Sequence, residues 1–331
     1  MPQNIINDLQ RFLRNHKAND KENITHTRIG DKKLGIFGGS YCIDEEELKK
    51  FLNVYSKTVF KDNINEYLTE KQIENGPILV DFDFRYNMSV STRQHDEETI
   101  ITIMDLYTEK LKKILNFDND KEFPIYIFEK PSINIMEKEQ IVKDGIHMII
   151  GISMPNKVQC LLRDEVLKDI DSLDLDLPLE NSWDSVLDRG ITEGYTNWQM
   201  YGSRKPNNEA YQLTKYYMAR IDLNDMEFII NEMETSSLDL QYDLFKLSAQ
   251  YNKHPVFELN ESFKDKLNPN KKKKTKLKLK SINTNYDIND IKSMDELDSA
   301  LEHIINNNDS YTFNRGSFSL KEIHGYVMLL P

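Results

Sequence analysis

The residues best suited to chemistry lie in the stretch Pro77 to Arg85, Pro-Ile-Leu-Val-Asp-Phe-Asp-Phe-Arg. Ile78, Leu79 and Val80 form a short apolar run that suits a buried strand, and the residues after it alternate acidic and aromatic. Residues two apart in a strand share a face. Asp81 and Asp83 are therefore expected on one side, with Phe82 and Phe84 packing on the other. Two carboxylates held together on a rigid strand are costly unless something neutralises them, and Mg²⁺ or Mn²⁺ prefers the oxygen ligands they offer. The spacing alone says little, since Asp118/Asp120 and Asp174/Asp176 repeat it. What separates Asp81/Asp83 is the apolar run that delivers them to a fixed place in a sheet. A metal site and a solvated strand end are the two readings.

Further on, Lys143-Asp144-Gly145-Ile146-His147 stands where a loop enters an apolar strand. Alternation puts Lys143, Gly145 and His147 on one face, which suits phosphate: glycine lets an oxyanion approach the backbone while the cation and imidazole donate. A strand-edge histidine beside a turn is the plainer alternative. Asp188, after Val186-Leu187, reads as a third carboxylate at a strand end or as a surface acid. Arg204 and Lys205, in a Gly-Ser loop, suit a triphosphate or are simply solvated. Gly38-Gly39-Ser40 lacks the Gly-Lys-Ser/Thr ending of a phosphate loop and reads as a structural turn.

These residues need positioning elements. Apolar spacing over residues 4–15 predicts a first helix, and Asp44 a cap for another running through Tyr55. After the Asp81/Asp83 strand come a polar loop, Asn87 to Asp96, and an amphipathic helix carrying Ile100, Ile103, Leu106, Leu111 and Leu115. Pro124 to Glu129 and His147 to Ile152 read as strands. A helix from Lys157 to Ile170, with Asn156 as its cap, and a strand from Tyr211 to Ile221 follow. Strand, helix, strand, strand, helix is the grammar of an α+β domain built on a ferredoxin-like unit. The expected division is an N-terminal α/β subdomain (1–76), a core (77–261), a lysine-rich linker (262–290) and a C-terminal helical segment (291–331), with a final helix from Ile291 to Ile305. The apolar ending Val327-Met328-Leu329-Leu330-Pro331 suggests a fragment of a longer protein.

Composition narrows the class. A chain of 331 residues with 39% hydrophobic and 30% charged residues can bury a sizeable core beneath a polar surface. No stretch approaches the ~20 apolar residues of a membrane span, and residues 1–15 lack a signal-peptide core. Cys42 and Cys160 alone argue for a reducing compartment and against a disulfide framework or a cysteine-rich zinc site. Between Lys264 and Lys280, nine lysines against Asp265 concentrate +8, so the rest of this −12 chain carries −20. Such a run reads as a solvated tail that adds salt-sensitive affinity for phosphates.

Taken together, the motifs resemble the archaeo-eukaryotic primase superfamily, in its primase-polymerase branch and in the N-terminal primase region of the primase-helicases of large DNA viruses. Its Asp-x-Asp/Glu, Ser-x-His and hydrophobic-Asp signatures match Asp81/Asp83, Gly145/His147 and Asp188 in order. Asn197 to Lys205 is similar to its Asn-aromatic-Arg-x-Tyr-x-Ser-x-Lys segment, which brings in Gln199, Ser203 and Lys205. Gly145 stands where the family usually has Ser, and Gln199 where it usually has Arg. The resemblance implies a primase core with a ferredoxin- or RRM-like sheet, and template-directed synthesis of short primers from nucleoside triphosphates on single-stranded DNA. Asp81, Asp83 and Asp188 would hold two Mg²⁺ or Mn²⁺ ions, and Lys143, His147, Lys205 and Arg85 the triphosphate. It also implies a covalently linked helicase beyond residue 331 and work inside a host cell. Its rival is a noncatalytic module that binds single-stranded nucleic acid.

Overall fold

The computed structural model describes residues 7–20, 23–118 and 120–267, all within one compact unit, Met1–Lys271. The expected C-terminal helix and nearly all of the lysine-rich linker lie outside the described residues; the linker's first residues belong to a helix instead. In chain order the elements are α1 (Asp8–Asn15), β1 (His26–Arg28), β2 (Gly39–Tyr41), α2 (Glu45–Ser56), β3 (Leu68–Glu70) and β4 (Asn75–Asn87). Then come α3 (Glu97–Ile114), β5 (Leu115–Asn116), β6 (Phe123–Glu129), β7 (Asn134–Met136), β8 (Ile141–Pro155) and α4 (Asn156–Leu167). Two short helices, α5 (Trp183–Val186) and α6 (Arg189–Thr192), precede β9 (Trp198–Gln199), β10 (Gln212–Ile221), β11 (Phe228–Met233), β12 (Glu258–Leu259) and α7 (Glu261–Leu267). The mixed α+β class expected from the element order stands.

The main sheet runs β11-β10-β6-β8-β4, with β7 added beside β8, and each of its pairings is antiparallel. Its alternation decides the layers. Phe82, Phe84 and Tyr86 of β4 point into a core shared with Ile103 and Tyr107 of α3 and with Val158, Leu162 and Val166 of α4. α3 begins with a capping box in which Asp96 accepts from the Thr99 backbone and the Thr99 hydroxyl returns to Asp96 N. On the opposite face Leu79, Ile149, Tyr126 and Phe128 pack with Trp198, Tyr216 and Leu247.

A smaller antiparallel sheet, β2-β1-β3-β9, packs with α1 and α2 around Leu9, Phe12, Phe51, Tyr55 and Leu68. Gly39-Ser40, read as a turn, is the start of β2, paired with Arg28 and Thr27. The Trp198–Gln199 segment crosses to this sheet, opposite Glu70 and Thr69.

Two expectations need correction. β8 begins at Ile141, so Lys143 and Gly145 lie inside a strand; β4 runs on to Asn87 and gives that extension a partner, Asn87 opposite Ile141. The ferredoxin-like strand order is not completed either. β4, β8 and β6 form the split unit, but β10 lies beside β6 and not beside β4. The free edge of β4 is already taken. Glu180 N and Asp188 N donate to the carbonyls of Arg85 and Asp81, Asn181 bonds Arg85 N and Asp83 O through its amide, and Leu187 bridges Phe82. A strap of residues 180–188 thus satisfies backbone groups that an edge strand leaves open.

Candidate functional site

The face of β4 and β8 away from the helices carries the expected residues in three register pairs: Asp81 with His147, Asp83 with Gly145, and Arg85 with Lys143. His147 Nε2 stands 3.5 Å from Asp81 Oδ1. Asp83 Oδ2 receives both Lys143 Nζ at 3.3 Å and Arg85 Nη2 at 3.2 Å. Burial pushes the Asp81 carboxyl up, but His147, Lys205 and Lys130 outweigh it and hold the group below the usual carboxylate range. Asp81 and Asp83 thus stand side by side on the strand with His147, Lys143 and Arg85 against them.

Asp188 arrives along the strap. It does not end a strand; it is the N-cap of α6, with Oδ1 accepting from Gly190 N and Ile191 N. Its backbone bond to the Asp81 carbonyl, 3.0 Å, fixes it beside the pair, and Oδ2 makes no hydrogen bond among the described residues. Carboxylate oxygens are the ligand type a hard divalent ion takes, and Asp81 and Asp83 offer two on one strand face. Among the described residues no three ligating side chains already converge as a metal cluster.

The Asn197–Lys205 block divides. Lys205 lies near enough to Asp81 and Lys130 to act on the ionisation of both. Ser203, expected to contact nucleotide, is instead fully buried, its hydroxyl bonded to Tyr55 Oη and to Leu68 N. Gln199 donates to the Ser203 carbonyl at 2.6 Å. Both side chains brace the loop around Gly202, whose φ of +85° suits glycine.

Two further residues, Lys130 and Tyr211, were missed in the sequence. Lys130 directly follows β6, and its Nζ lies 4.9 Å from the centre of the Tyr211 ring. Desolvation and the neighbouring Lys205 pull its pKa down, against the opposing carboxylates Asp81, Asp83 and Asp144. Tyr211 stacks on His147 with ring centroids 3.6 Å apart, and Trp198 approaches the same imidazole at 4.3 Å. A cation just past an apolar strand, at the end where carboxylates gather, was the signal available for Lys130. For Tyr211 there was none, because it lies 64 residues past His147 and meets it only through the sheet order.

Behind the site, Asp144 faces the other way. It accepts from Gly145 N at 2.9 Å and from Arg93 Nε at 2.9 Å; Arg93 also donates to Glu129 and to the Lys130 carbonyl. His95 completes this buried group at 2.9 Å from Glu129. The polar loop after β4 thereby pins the ends of β6 and β8.

The antiparallel sheet thus presents two neighbouring carboxylates beside lysine, arginine and histidine side chains. The chain belongs to the archaeo-eukaryotic primase (AEP) domains of the C962R type: residues 30–217, more than half of it, match the family described as "C962R protein N-terminal AEP domain". Over 192 residues it is 30% identical to the "Putative helicase L207/L206" of Acanthamoeba polyphaga mimivirus. That match covers 56% of this chain and 20% of the relative, so the chain spans about one fifth of the length of that curated protein. Among the described residues, no helix is long and apolar enough to cross a membrane.

Proposed function

We propose that this domain is a template-directed primase, joining nucleoside triphosphates into short primers on single-stranded DNA. The observation that carries the reading is the convergence on β4: Asp81 and Asp83 on one face, Asp188 tied to the Asp81 carbonyl, and Lys143, Arg85, His147 and Lys205 around them. Asp81, Asp83 and Asp188 would hold Mg²⁺ or Mn²⁺. When bound, a pair of such ions activates a 3′-hydroxyl and neutralises the charge of the departing pyrophosphate. Lys143, Lys205 and Lys130 bind and orient the triphosphate, and His147, clamped between aromatic rings, donates to it from a fixed position. Arg85 divides its charge between Asp83 and the ligand.

In this reading the small sheet with α1 and α2 is an N-terminal subdomain of the primase module and the large sheet its catalytic core. A helicase region joined to the chain, and replication of viral DNA inside a host cell, are the expected setting. The test is primer synthesis on single-stranded DNA with labelled nucleotides and Mg²⁺ or Mn²⁺. Short products from the native chain that disappear in Asp81→Ala/Asp83→Ala establish the activity and its acidic site together. The committed bonds of Gln199 and Ser203 favour one other reading, a noncatalytic module that binds single-stranded nucleic acid. It predicts no products from either protein and equal DNA binding by both.

A further inference from the structure

Gly145 sits in the middle of the row Lys143, Gly145, His147, directly opposite Asp83 in the β4–β8 ladder. A Cβ placed on it would lie 2.6 Å from the Phe82 carbonyl oxygen and 2.9 Å from the Tyr211 hydroxyl. The first contact shows that the two strands approach too closely here for any side chain. The second shows what occupies the space: a phenol delivered from the start of the neighbouring chain segment, ahead of β10. Its ring lies flat against the His147 imidazole, 3.6 Å between centroids and 20° between planes, with Lys130 Nζ over the ring. Among the described residues the hydroxyl has no hydrogen-bond partner.

We propose that the Tyr211 hydroxyl is a phosphate-binding group of the site, taking the place in the Lys143–His147 row that residue 145 leaves empty, while its ring fixes the plane of His147. This rests on reading the site as one for nucleoside triphosphates. A row of ammonium, hydroxyl and imidazole offers three donors of different reach to the oxygens of a phosphate chain. A phenol is protonated at neutral pH and so can donate to a phosphate oxygen. Gly145 is then half of a paired arrangement in which the backbone is bare because the donor comes from the segment just ahead of β10. Tyr211 is a binding and positioning residue, and no bond is made or broken at it.

The experiment is a binding titration of the full chain with inorganic tripolyphosphate and with a nucleoside triphosphate blocked at the α,β-bridge, each with Mg²⁺. Native protein, Tyr211→Phe, Tyr211→Leu and Lys143→Ala are compared, and each is also melted. Tyr211→Phe keeps the stacked ring and is expected to melt like the native chain while binding both ligands about tenfold more weakly, as loss of one hydrogen bond to a charged group implies. Tyr211→Leu, which also frees His147, loses more. Native affinity in Tyr211→Phe, with Lys143→Ala weakened, overturns the proposal and leaves the nucleotide reading standing. A markedly lower melting point in Tyr211→Phe shows the hydroxyl to be part of the fold's own bonding and also overturns it. No binding by the native chain brings down the nucleotide reading and this proposal with it.

Discussion

Asp83 illustrates how much a single carboxylate in this site has to satisfy. One oxygen, Oδ2, is shared by Lys143 and Arg85, and the carbonyl of the same residue is held by Asn181. Side-chain and backbone roles thus coincide at one position. At Gly145 the backbone decides alone: Gly145→Ala forces a methyl against the Phe82 carbonyl at 2.6 Å. The expected cost is about 1–3 kcal/mol, as for other overpacked sites, read from the shift in denaturant midpoint at unchanged slope. An unshifted midpoint would mean that β4 and β8 separate there at no cost. Much of this residue scale was legible beforehand, because strand alternation is a strict rule: the facing of Asp81, Asp83, Lys143 and His147 follows from a period of two. Ser203 was misread for a physical reason. A hydroxyl in a motif does not reveal whether it points to ligand or into the core, and here Tyr55, 148 residues away in sequence, takes it.

Among the elements, the strap of residues 180–188 has no periodicity, and nothing in its sequence announced that it would close the edge of β4. Its partners are backbone groups, which every residue has, so side-chain pattern carries no trace of the pairing. The helices and long strands were legible because apolar periodicity marks them, whereas the placement of β10 beside β6 depends on which edge remains open. Asn181 is the strap's main fastening, accepting from Arg85 N at 3.0 Å and donating to Asp83 O at 2.9 Å. Asn181→Ala removes both bonds at a half-buried edge and is expected to destabilise the chain by about 1–3 kcal/mol. On the proposed primase reading, primer synthesis is expected to fall as well, because the strap that carries Asp188 is loosened. Hydrogen exchange at Arg85 N would report the opening directly, and unchanged protection there would refute the fastening role.

Across the whole molecule, buried titratable groups set the response to pH. His26 and His254 are buried, and desolvation lowers each to about 4 from the usual 6.5. The folded state prefers them neutral, so their contribution is complete above pH 6.5 and is lost as pH falls toward 4. By linkage the loss approaches about 3 kcal/mol for each. Glu70 acts the other way. Burial raises it to about 7, against the bonds from Ser248 and Ala249, so its contribution is complete below about pH 4.5 and fades as pH rises toward 7. Two imidazoles outweigh one carboxyl. The melting point should fall between pH 6.5 and 4.5, and more steeply in Glu70→Gln; a flat profile would show that these groups are hydrated in the folded chain. The strap has one more consequence, for how this family of domains can vary. Surface connections usually tolerate inserted or deleted residues, yet this one is measured against β4 from Glu180 at Arg85 to Asp188 at Asp81. A single added residue would slide the third carboxylate off its mark. Working relatives are therefore expected to keep the length of this segment constant while the loops around it drift.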